Sequence, residues 1–136
     1  MKFKGQVSIE YVFIVMISLI IILPVFYIAM MQVQVTLAVS KAEIACDRIT
    51  SAADYLTANG EGSKTKITIE LPYNIDVNNS FLEGKEINYR ILTYTNGTDV
   101  FSIAKRNLTG YLPTSGGSNI ISLEYVGGEV LISEAN

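Results

Sequence analysis

The chain has 136 residues, 49% of them hydrophobic and 17% charged, with a mean hydropathy of +0.34 and a formal charge of −3. This acidic balance leaves no basic surface to hold a phosphate backbone, so nucleic acid is not an expected partner. There is no His and a single cysteine, Cys46, which excludes imidazole bases, His-ligated metals, an internal disulfide and a multi-cysteine metal site; no enzymatic activity, cofactor or metal is expected.

Residues 1–5, MKFKG, form a short basic leader. A basic flank before an apolar run stays in the cytoplasm and directs the downstream chain outward. No formal charge occurs between Glu10 and Lys41, and residues 11–31 read YVFIVMISLIIILPVFYIAMM, interrupted only by Ser18 and Pro24. A hydrocarbon core of roughly 30 Å needs about 20 such residues as a helix. The run is apolar all round, which separates it from an amphipathic surface helix. Residues 6–31 are therefore expected to form a hydrophobic helix held by membrane lipid. Pro24 removes a backbone donor and predicts a kink or a loosened turn. No small-residue cleavage site stands close behind the run, so any processing signal has to precede it.

Immediately ahead of the run stand Gly5-Gln6-Val7-Ser8-Ile9-Glu10-Tyr11. A basic leader and a glycine, then Gln6, Ser8, Glu10 and Tyr11 in a Gln-x-Ser-x-Glu-aromatic order before an apolar helix: in this the segment resembles the archaeal type IV pilin-like proteins with a class III signal peptide. The resemblance is close over the leader and the apolar run and only architectural beyond them. It implies cleavage by a membrane prepilin peptidase between Gly5 and Gln6, export, and self-association into a helical filament built by an ATPase-driven pilus assembly platform. The chain would then be a single-pass protein of the cell membrane before assembly and part of an extracellular surface filament afterwards. The expected function is that of a structural subunit, a pilin, serving adhesion or surface attachment. The alternative is a minor pilin or a membrane-anchored surface binding protein. Glu10 has a physical reading beside this one. A carboxylate at the edge of an apolar span is costly and calls for a partner. Cleavage would free an ammonium at Gln6, four residues away, and in a helical array the amine of one subunit can meet Glu10 of a neighbour and set their register, against a desolvation cost. The other option is a Glu10 solvated among lipid headgroups.

From residue 32 to 59 the pattern becomes amphipathic. Val35, Ala38, Ala42, Ala45, Ile49, Ala52 and Leu56 recur every three or four residues, one apolar stripe on a helix. Ile49 and Leu56 are expected to face inward and Cys46 to be a small buried hydrophobe. Asn59-Gly60 is a helix stop. A helix over residues 6–59 would be on the order of 80 Å long.

Residues 60–136 switch to a period of two. Residues 65–71 alternate up to Pro72, which ends or edges that strand. Residues 86–94 and 100–104 flank Asn96-Gly97, and residues 119–126 and 129–133 flank Gly127-Gly128, which predicts two hairpins. The expected fold class is α+β, type IV pilin-like: a long N-terminal helix, hydrophobic and then amphipathic, packed on a small antiparallel sheet of roughly four to six strands. Three Asn-x-Ser/Thr sequons, at Asn78, Asn96 and Asn107, fall in or beside predicted turns and are candidate N-glycosylation sites. Archaeal pilins that the chain resembles are commonly glycosylated. Glu83 and Glu86 flank a glycine turn without the spacing of a Ca²⁺ loop.

Overall fold

The computed structural model describes residues 3–94 and 96–135, with side chains from Ser8 onward. It comprises two compact units, Met1–Val35 and Thr36–Asn136. Both draw on one helix, α1 (Phe3–Asn59), which contains Pro24 without ending there. In the first unit α1 is the only element described, and its side chains from Ser8 to Met30 are exposed.

The second unit combines residues 36–59 of α1 with seven strands. These are β1 (Lys64–Leu71), β2 (Phe81–Glu83), β3 (Glu86–Ile91), β4 (Thr98–Ile103), β5 (Leu108–Gly110), β6 (Gly117–Val126) and β7 (Glu129–Glu134). The helix stops where the sequence predicts. Gly60 takes a φ of +97°, open to glycine without the Cβ penalty. Its N–H donates back to the Leu56 carbonyl at 3.1 Å, and the Ser63 hydroxyl donates to the same oxygen at 2.9 Å. The last turn therefore leaves that carbonyl satisfied.

The strands form two sheets instead of one. A four-stranded sheet runs β1-β6-β7-β5 and a three-stranded sheet runs β2-β3-β4. All pairings are antiparallel except β5 with β7. Both predicted hairpins are present: β6–β7 across Gly127-Gly128, and β3–β4 across a longer loop that contains Asn96-Gly97. That loop is longer than expected because β3 ends at Ile91. Leu92 turns instead toward the segment after β1. Its N–H donates to the Asn74 carbonyl at 2.8 Å, and its carbonyl accepts from the Asn74 side-chain amide at 2.7 Å.

One core joins helix and sheets. The inner face of α1 supplies Ala42, Ala45, Cys46, Ile49, Ala53 and Leu56, all at most 1% exposed. Alanines let the strands approach the helix backbone closely, and Ile49 and Leu56 fill the space between them. Ala53 is the fully buried position where the stripe predicts Ala52, which is only partly buried. The sheets meet this face with Ile69 and Leu71 of β1, Ile87 and Tyr89 of β3, and Ile121 and Leu123 of β6. Tyr89 is the largest fully buried side chain, and its hydroxyl donates to the Pro113 carbonyl at 2.8 Å, so no polar group is stranded there. The fold is thus α+β, a long N-terminal helix, apolar and then amphipathic, with its second part packed on β-sheet.

Candidate functional site at the start of the long helix

The residues of the Gln-x-Ser-x-Glu pattern all lie on α1. Gly5 and Gln6 belong to its helical backbone, and their side chains lie outside the described residues. Ser8, Glu10 and Tyr11 are exposed. On a helix, Gln6 and Glu10 fall on one face, about 6 Å apart along the axis.

Downstream, α1 is long and apolar enough to cross a membrane, and none of its most apolar window is buried within the chain. Apart from the Ile20 carbonyl, whose helical donor is lost at Pro24, its backbone polar groups are satisfied internally, as a helix in lipid requires. Ser18 is accommodated in the same way, its hydroxyl donating to the Ile14 carbonyl at 2.8 Å. Tyr11 and Tyr27, both exposed, stand 16 positions apart, roughly 24 Å of helix. That is shorter than the roughly 30 Å hydrocarbon core of a bilayer. Comparison with protein-family models, curated proteins and solved structures returns no match. The physical reading of the site accordingly rests on these residues.

The other singled-out residues are dispersed over the second unit. Asn78 is exposed in the turn after β1, where its N–H donates to Asp76 Oδ1 at 3.2 Å. In the same turn the Asn79 amide donates to Asp76 Oδ2 at 2.7 Å and holds the Asp76 carboxyl below its ordinary pKa. Asn96 is exposed in the β3–β4 loop beside Thr93. Asn107 precedes β5, and its side-chain amide donates to Glu129 Oε1 at 3.4 Å. The three sequons occupy three different loops, so they are separate acceptor positions and form no common site. Among the described residues no group of three or more His, Cys, Asp or Glu is placed to hold a metal ion.

Cys46 is buried against β4, 3.9 Å from the Val100 carbonyl. Burial pushes its thiol up to about 12, and the Asp47 and Glu43 carboxylates add to the effect. A neutral, enclosed thiol is a poor nucleophile. The native chain should therefore resist alkylation at pH 8 and react once unfolded, which mass spectrometry of iodoacetamide-treated samples would read. Above the ordinary thiol value the unfolded chain releases a proton that the folded chain keeps. The Cys46 contribution to stability should accordingly fall as pH rises from about 9 to about 12.

Sequence reasoning missed a second apolar line on α1. Leu37, Ile44 and Tyr55 are exposed on the side away from the core stripe. Leu37 and Ile44 are seven residues apart and Tyr55 stands eleven further on, a line that the intervening charged residues mask in the sequence.

Proposed function

We propose that the chain is a pilin: an exported, membrane-anchored subunit of an archaeal type IV pilus-like surface filament, cut by a prepilin peptidase between Gly5 and Gln6. One juxtaposition carries this reading. The Gln6-Val7-Ser8-Ile9-Glu10-Tyr11 segment leads directly into an apolar helical stretch whose side chains are exposed among the described residues. A stretch of that length needs an apolar environment. Lipid supplies it before assembly, and the equivalent helices of sister subunits supply it afterwards. The second unit, with its own core and net acidic surface, suits the outside of such a filament, where adhesion or surface attachment would take place. Its three exposed sequons give it acceptor positions for N-linked glycans.

Mass analysis of the protein extracted from the cell surface tests both parts. The expected mature chain begins at Gln6, and any mass beyond the polypeptide maps to peptides containing Asn78, Asn96 or Asn107. A surface protein that retains residues 1–5, or one recovered only as a dispersed cytosolic monomer, would overturn the reading.

A further inference from the structure

Two exposed patches of the second unit complement each other. The first is the outer face of the β2-β3-β4 sheet. Phe81, Asn88 and Phe101 stand directly opposite one another across the three strands, as do Glu83, Glu86 and Ile103. Phe81, Phe101 and Ile103 are 43%, 61% and 63% exposed. Glu83 and Glu86 form a like-charge cross-strand pair, which is unfavourable in isolation. Among the described residues neither is in an ion pair. Between the two phenylalanines Asn88 is 8% exposed, and its Oδ1 has no hydrogen-bond partner. The face is thus apolar and acidic, with an unsatisfied acceptor at its centre.

The second patch is an open groove of about 510 Å³ between α1 and the edge strand β1, lined by Ile44, Asp47, Arg48, Ser51, Ile67 and Thr68. Asp47 is engaged toward β4, accepting from the Ser102 hydroxyl. The neighbouring Lys41 is paired with Glu70 at 2.6 Å and Lys64 with Glu124 at 3.2 Å. Arg48, donating to the Thr68 carbonyl, and Lys66, exposed on β1, are in no ion pair among the described residues. The groove is therefore apolar, with Arg48 and Asp47 in its lining and a second cation, Lys66, exposed next to Ile67 on β1. It shares no residue with the sheet face.

We infer that the acidic, apolar sheet face of one copy docks on the α1–β1 groove of a second copy of this chain. Charge complementarity selects the occupant. The two unpaired carboxylates meet Arg48 in the groove and Lys66 at its rim, and the exposed apolar side chains on each patch bury one another. Because the two patches differ, the contact is heterologous, so its repetition gives a ring or an open helical array instead of an isologous dimer, and the filament reading selects the open array. The inference rests on the filament reading above and names the surface through which its subunit heads touch.

Charge reversal in the full chain, expressed in cells that display it, tests the interface. Lys66→Glu and Glu83→Lys each convert attraction to repulsion at exposed positions. Each should lower the mass of surface filament about fivefold, the scale expected when an exposed ion pair is turned into a like-charge pair. The double variant Lys66→Glu/Glu83→Lys restores the attraction with its sign exchanged and should return filament mass toward wild type. Single variants that assemble like wild type, or a double variant that stays as low as either single, would overturn this interface while leaving the filament intact as a reading. Either result would point to another occupant for the sheet face, such as a glycan or a different protein. A wild-type chain that forms no filament would overturn the filament reading, and this interface with it.

Discussion

Ile49→Ala and Leu56→Ala should each destabilise the second unit by about 2–5 kcal/mol, the range for deleting a fully buried large aliphatic side chain. Both side chains are essentially inaccessible, at 0% and 1% exposure. They stand on a helix face otherwise made of alanines, Cys46 and Thr50, so no long flexible neighbour on α1 can swing in to fill the space. On the other side the strands are fixed in register by β1–β6 and β3–β4 pairing, which limits collapse of the sheets onto the cavity. Ile44→Ala is the matched control. It removes a side chain of the same type from the same helix, but one that is 54% exposed, and should change stability by no more than about 0.5 kcal/mol. Denaturant titration of the detergent-solubilised full chain, followed by tyrosine fluorescence because the chain has no Trp, would give the three midpoints. Equal losses for all three variants would show that the α1 face buried against the sheets is not what holds this unit together.

That contrast between Ile49 and Ile44 also shows how far the amino-acid order alone reaches. The inner stripe is legible because burial on a helix imposes a three-to-four spacing, and Ala42, Ala45, Ile49 and Leu56 obey it. The helix stop at Asn59-Gly60 and the turn at Gly127-Gly128 are legible because only glycine adopts positive φ there without strain. Short strands are not. The three residues of β2 and of β5 are too few to establish a period, and the parallel pairing of β5 with β7 depends on strands placed by the rest of the fold. The division into two sheets is hidden for a related reason. β1 pairs with β6, far along the chain, while β2, β3 and β4 pair among themselves, and no local pattern states which strand finds which. At the candidate site the residues are legible as a motif, and the structure adds that Gly5, Gln6, Ser8, Glu10 and Tyr11 share one continuous helix.

The continuity of that helix through Gly5 makes Gly5→Leu the substitution with the largest expected effect on the proposed function. A peptidase acts on backbone that has opened locally, and α1 is weakly held at this end. Its first turn contains no acidic residue to offset the helix dipole, and glycine costs about 1 kcal/mol of helix stability relative to alanine. Leucine would remove that weakness and place a bulky side chain beside the bond to be cut. The expected result is a chain that keeps residues 1–5 and surface filaments reduced to background. Glu10→Gln separates processing from assembly. It preserves size and removes the charge, so the chain should still be cut after Gly5. If Glu10 meets the freed amine of a neighbouring subunit, removing that charge-assisted hydrogen bond, about 1.5–3 kcal/mol, should lower the assembly equilibrium about tenfold or more. Filament mass and N-terminal sequence measured on the same preparations distinguish the two steps. A processed Glu10→Gln chain that assembles like wild type would place this carboxylate among the headgroups, with no part in register. Filaments in normal amount from Gly5→Leu would remove cleavage from the mechanism altogether.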